Sequence, residues 1–126
     1  LHILLAEDKA LNQEIAQMLL TSKGANLDIV SNGQEAVAKF EATPPGCYQL
    51  ILMDIRMPVM NGYTAAEKIR HSQHPDGADI PIIAMTADAY EDDIKHCMAV
   101  GMNGHISKPI NPDKLYSEIA KCCNGI

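Results

Sequence analysis

Leu50-Ile51-Leu52-Met53-Asp54-Ile55-Arg56-Met57-Pro58-Val59-Met60-Asn61-Gly62 is the stretch that decides the fold. Its apolar run, followed shortly by Pro58 and Gly62, reads as a strand buried on both faces that ends at a loop. Asp54 then stands at the C-terminal end of that strand, and in open parallel α/β sheets this is the edge where ligands bind. An aspartate there can equally cap or turn the chain. The stretch alone leaves both readings open.

Outward from it, the same pattern repeats. His2-Ile3-Leu4-Leu5-Ala6 is a short apolar run that stops at Glu7-Asp8, and Leu27-Asp28-Ile29-Val30 is another. Ile80-Pro81-Ile82-Ile83-Ala84-Met85-Thr86 carries its proline at the start, where a missing ladder donor is tolerated, and His105-Ile106-Ser107 is a weaker fifth strand leading to Lys108-Pro109. Helical spacing separates these runs. Leu11, Ile15, Met18 and Leu19 recur in the first helix, and Ala36, Val37 and Phe40 point inward from a second that Asn32 caps and Glu35 braces. Ala65, Ala66 and Ile69 mark the third helix, and Ile94, Cys97 and Met98 are offered to the core by a fourth over residues 89–100. Leu115, Ile119 and Cys122 belong to a last one begun by Asn111-Pro112. Five strands alternating with five helices predict a doubly wound parallel sheet covered on both faces, in the flavodoxin-like order 2-1-3-4-5.

With 126 residues the chain suits a single domain over 1–126. A formal charge of −6 argues against gripping phosphate backbones, so no direct nucleic-acid contact is expected. No signal peptide or apolar span of membrane length is present, which predicts no membrane contact. Cys47, Cys97, Cys122 and Cys123 lack paired spacing, and reduced thiols in a cytoplasmic setting are expected. Beginning at Leu1 inside an apolar run suggests a domain cut from something longer.

Alternation puts four strand ends on one edge: Glu7-Asp8, Asp54, Thr86 and Lys108. Strands one and three are neighbours at the switch point, so their acids meet in one crevice. Three carboxylates there repel one another, and either one of them stays protonated or a cation joins them. Few carboxylates with remaining waters suit Mg²⁺ better than a caged Ca²⁺. Lys108 adds a positive charge and Thr86 a hydroxyl, a set that fits a phosphoryl group beside a metal.

Glu7-Asp8, Met53 through Gly62, Met85-Thr86-Ala87 and Lys108-Pro109 together resemble the receiver domains of two-component response regulators. The resemblance spans the whole chain. It implies that Asp54 takes a phosphoryl group from a phosphohistidine on a histidine kinase or histidine phosphotransfer protein, becoming an aspartyl phosphate. It further implies that Glu7, Asp8, Asp54 and the Arg56 carbonyl hold Mg²⁺. Lys108, the Thr86 hydroxyl and the Ala87 N–H would then bind the phosphoryl oxygens. A cis Lys108-Pro109 bond, docking near the first helix, autodephosphorylation tuned by Arg56 and Asp88, and a switching face over strands four and five follow from the same likeness. The stretch Gly104 through Ile110 looks like receivers fused to sensor kinases, which suggests a hybrid histidine kinase as parent. His105 stands where most receivers carry Tyr or Phe, and simple packing is the favoured role over pH sensing.

Other classes fit less well. A phosphorylation-independent interaction module of the same fold predicts a missing site residue, and none is missing. A flavodoxin-like cofactor binder lacks a phosphate-cradling loop after strand one. An aspartyl-nucleophile phosphatase needs a second acid where Arg56 stands. His2, His71, His74 and His96 show no metal-ligand spacing and read as surface or filler residues.

Overall fold

Strands with apolar residues on both sides need cover on both sides, and the architecture follows from that requirement. The computed structural model describes residues 1–87 and 91–123. In it, β1 (His2–Ala6), β2 (Asn26–Val30), β3 (Leu50–Asp54), β4 (Ile82–Thr86) and β5 (Gly104–Ser107) form one parallel sheet in the order β2-β1-β3-β4-β5. The crossovers are α1 (Ala10–Thr21), α2 (Gly33–Glu41), α3 (Gly62–Arg70) and α4 (Glu91–Ala99), and α5 (Pro112–Cys122) closes the chain.

Side-chain alternation sorts the central strands into two cores. Leu4, Ala6, Ile51, Met53, Ile82 and Ala84 face α2, α3 and α4, where Phe40, Ala65, Ala66 and Ile69 meet them. Ile3, Leu5, Leu50, Leu52, Ile83 and Met85 face α1 and α5, packing on Ala16, Leu20, Leu115 and Ile119. Register then aligns the strand ends, with Ala6 opposite Met53, Asp54 opposite Met85 and Thr86 opposite Ser107. The acids cannot avoid sharing an edge.

Asparagines cap the starts of α2, α3 and α5, at the expected Asn32 and Asn111 and also at Asn61. Asn32 accepts from the Glu35 N–H, Asn61 from the Thr64 N–H, and Asn111 from the Asp113 and Lys114 N–H groups. The Glu35 carboxylate bonds back to the N–H of Ser31, one residue ahead of the cap. Two helical faces differ from expectation. Leu11 and Met18 of α1 and Met98 of α4 are exposed, while Ala16, Leu20 and Val100 fill inward positions and Cys97 is buried as expected. The expected start of the fourth helix at Ala89 lies outside the described residues.

The loop from β3 to α3 is tight. Gly62 donates its N–H to the Ile55 carbonyl at 2.8 Å, and a Cβ there would sit 2.3 Å from the Asp54 carbonyl oxygen. Met60 N–H bonds back two residues to the Pro58 carbonyl at 2.7 Å, with Val59 between them at φ 68°, a γ-turn conformation that a β-branched residue adopts only under strain. Two substitutions in one loop should therefore act in opposite directions. Gly62→Ala drives a side chain into backbone and should cost about 3 kcal/mol. Val59→Gly relieves strain at an exposed site and should gain about 1 kcal/mol after the entropy that glycine loses. Urea unfolding of both variants reads the two signs, and a stable Gly62→Ala protein would contradict the packing described.

Candidate functional site

Two adjacent acids end β1 because the chain turns there into α1, and local bonds fix the first of them. Glu7 Oε1 accepts from the Lys9 N–H at 3.1 Å and from Asn12 Nδ2 at 3.4 Å, while Gln13 Nε2 donates to the Glu7 carbonyl at 2.6 Å. Glu7 is thus buried yet pointed at the neighbouring strand end. Asp54 arrives from β3 at the same level, 3% exposed. Suitably chosen carboxylate oxygens of Glu7, Asp8 and Asp54 all lie within 4.8 Å of one another.

Lys108 enters from β5. Its ammonium lies 2.8 Å from Glu7 Oε2 and hydrogen-bonds Asp54 Oδ2 at 3.0 Å, and its own N–H binds the Thr86 carbonyl at 2.7 Å. The peptide bond to Pro109 is cis, as expected. Around these groups is a cavity of about 320 Å³ that Asp8, Asp54, Arg56, Thr86, Ala87 and Lys108 line. Among the described residues, Asp8, Asp54, Arg56, Thr86, Ala87 and Lys108 thus meet at one cavity, and Glu7, outside its lining, reaches the same group through Lys108. Asp88 lies outside the described residues.

Electrostatics explain what this arrangement can hold. Burial pushes the Asp54 carboxyl up to about 6, against the Lys108 hydrogen bond that lowers it, and the negative charges of Glu7 and Asp8 push the same way as burial. Burial disfavours the Lys108 ammonium, but Glu7 and Asp54 outweigh it and hold its pKa above the ordinary lysine value. Lys108 is the ammonium in ion-pair contact with Glu7 and Asp54, while Lys9 and Asp93 also border the cavity. Among the described residues, Asp8 Oδ1 is buried without a hydrogen-bond partner, and Glu7 Oε2 has its ion pair with Lys108 alone. All-oxygen donors, surplus negative charge and an orphaned carboxylate oxygen fit a hard divalent cation.

Several wall residues escaped sequence reasoning. Lys9 and Asn12 sit in the first turns of α1, close enough in sequence to Glu7-Asp8 that the turn could have flagged them. Tyr63 and Asp93 come from α3 and α4, and they also border a second cavity of about 460 Å³ with Ile55, Arg56, Met57 and Asn61. Only the packing of α3 against α4, where the Tyr63 ring stacks on His96 at 3.7 Å, brings them there. His105 is half-buried on the edge strand, beside Lys114, Ser117 and Glu118 of α5.

A five-stranded doubly wound sheet with acids and a lysine gathered on its carboxyl edge defines the CheY-like class of domain. The profile of the response regulator receiver domain matches residues 3–120, and the chain belongs to that family. It is 39% identical over 124 residues to the osmosensing histidine protein kinase SLN1 of Saccharomyces cerevisiae, covering 96% of this chain and 10% of that protein. The chain spans about a tenth of the length of the curated relatives it matches. The receiver domain of a Pseudomonas aeruginosa sensor histidine kinase, solved with a magnesium ion coordinated in its active site cleft, is 36% identical. It superposes with a TM-score of 0.85, covering 96% of this chain and 95% of that one. The receiver domain of the yeast response regulator Ssk1, in complex with the histidine phosphotransfer signaling protein Ypd1, is 30% identical with a TM-score of 0.83, covering 97% and 88%.

The Asp54 environment yields a pH signature. A carboxyl raised from its usual value to about 6 contributes stability while protonated in the native state, and that contribution is lost as pH rises through 6. In magnesium-free buffer Asp54→Asn should change stability little near pH ~4 and raise it by about 2 kcal/mol at pH ~7.5. Urea midpoints at the two pH values measure the difference, and equal shifts at both would contradict it.

Proposed function

We propose that this chain is a phosphoacceptor receiver whose acceptor is Asp54, and the observation that carries the reading is the convergence of three carboxylates and Lys108 on one cavity. Glu7, Asp8, Asp54 and the Arg56 carbonyl are the groups that would hold Mg²⁺. The bound cation supplies charge neutralisation at the transferring phosphoryl group.

The residues divide the remaining work. A carboxylate oxygen of Asp54 attacks the phosphorus of a phosphohistidine, an O–P bond forms as the N–P bond breaks, and the departing imidazole leaves with the electron pair. Lys108 trades its contact with Asp54 Oδ2 for a phosphoryl oxygen, while the Thr86 hydroxyl and the Ala87 N–H receive the others. Attack by water on the same phosphorus reverses the modification. The chain thereby catalyses its own phosphorylation and dephosphorylation, and the charge added at Asp54 biases the face formed by β4, α4 and β5.

The partner surface follows from α1. Leu11, Ile15 and Met18 recur along one flank beside the acidic edge, with Leu11 and Met18 about two-thirds exposed. Apolar residues at that spacing suit the docking of a helix from a histidine phosphotransfer protein or histidine kinase. Relatives that include a hybrid signal transduction histidine kinase support placing this receiver within such a kinase, and the proposal puts it in the cytoplasm. Among the described residues no helix is long and apolar enough to cross a membrane.

With Mg²⁺ and acetyl phosphate the chain should gain the mass of one phosphoryl group and Asp54→Asn none; equal labelling of both would sink the assignment. Lys108→Ala should slow labelling at least ~10-fold while Mg²⁺ still binds. Leu11→Glu should slow transfer from a histidine phosphotransfer protein but leave labelling by acetyl phosphate unchanged. Loss of both reactions would place Leu11 in the fold rather than the interface.

A further inference from the structure

At the edge of the sheet opposite Asp54, three residues from separate segments form a relay. His2 opens β1, Asp28 belongs to β2, and Cys47 lies in the connection from α2 to β3. His2 Nε2 is 2.9 Å from Asp28 Oδ2, and His2 Nδ1 is 3.8 Å from Cys47 Sγ. We propose that Cys47, His2 and Asp28 form a nucleophilic thiol site that exchanges with small-molecule disulfides.

Hydrogen bonding fixes the roles. The Tyr48 hydroxyl donates to Asp28 Oδ2 at 2.6 Å and holds the Asp28 carboxyl below its ordinary range, so Asp28 is a carboxylate and can only accept. Burial and Asp28 push the Tyr48 hydroxyl far up, keeping it a donor. His2 Nε2 must therefore carry the proton it gives to Asp28, and in the neutral ring Nδ1 is the lone pair that faces the thiol. The ring is held there by Tyr48 at 4.6 Å between centroids. Gln49 pins the backbone of His2 twice, its Oε1 accepting from the His2 N–H at 2.7 Å and its N–H donating to the His2 carbonyl at 3.0 Å.

This is the arrangement that activates a nucleophile: an acceptor beside the thiol, oriented by a third group. Cys47 is partly exposed, so a small reagent can reach it. Burial pushes the thiols of Cys97, Cys122 and Cys123 up, which holds them in the unreactive protonated form.

The step balances as follows. His2 Nδ1 takes the Cys47 proton, and the thiolate attacks one sulfur of R–S–S–R. A bond forms from Cys47 to that sulfur as the R–S–S–R bond breaks, and the expelled thiolate recovers the proton from His2 and leaves as RSH. His2 is the proton acceptor, Asp28 a positioning residue.

Glutathione disulfide is the probe, with the mixed disulfide at each cysteine measured by peptide mass mapping near neutral pH. Cys47 should react at least ~10-fold faster than Cys122 and Cys123, and His2→Gln should slow Cys47 by ~5-fold or more without touching the others. Added imidazole should restore the Cys47 rate in His2→Gly, which a purely structural role for His2 does not predict. Asp28→Ala should slow Cys47, with recovery in Asp28→Glu. Equal rates at the three cysteines of the wild-type chain overturn the proposal whether or not the variants fold. So does an unchanged Cys47 rate in folded His2→Gln, or a His2→Gly rate indifferent to imidazole.

Discussion

A buried excess of negative charge at one end of an apolar sheet is the constraint on which this molecule turns. Glu7, Asp8 and Asp54 are driven together because parallel strands of similar length must end together. Lys108 is the one ammonium that bridges two of them among the described residues. A further cation or a proton relieves the repulsion that Lys108 leaves. The site is in this sense a frustrated element in an otherwise consistent fold, and frustration of this kind is expected where a protein acts rather than where it merely packs.

How much of this could be read from the residues depends on the range of each interaction. The strands and their order were legible because apolar runs ending in Glu7-Asp8, Asp54, Thr86 and Lys108 recur with helical segments between them, and parallel pairing needs those crossovers. The gathering of the site followed from topology alone. Which face of α1 turns inward was not legible. Leu11, Ile15 and Met18 have the spacing of a core stripe, and only the sheet's position shows that Ala16 and Leu20 fill the contact and leave Leu11 and Met18 outside. Small residues close to a sheet bury as well as large ones, and composition cannot separate the two stripes.

Longer-range features were invisible for a related reason. Tyr63 and Asp93 reach the cavity through the crossing of two helices. The relay of Cys47, His2 and Asp28 joins residues up to 45 positions apart, with nothing in their local sequence to link them. Glu35 bracing Ser31 instead of the cap residue shows the same limit at short range, since side-chain reach rather than spacing chose the partner.

Arg70, at the end of α3, has a mechanical consequence. Its half-buried guanidinium binds the Gly101 carbonyl at 2.9 Å, the Gly77 carbonyl at 3.0 Å and Asn103 Oδ1 at 2.8 Å, tying the end of α3 to the turn between α4 and β5. Asn103 Oδ1 also accepts from the Ile82 N–H at the start of β4. One end of α4 is thereby pinned, while Asp93 near its other end borders the cavity. A helix held so has its fulcrum at Gly101, and at its cavity end the contacts of Tyr63 with Asp93 and His96 are the ones any swing about that point has to break.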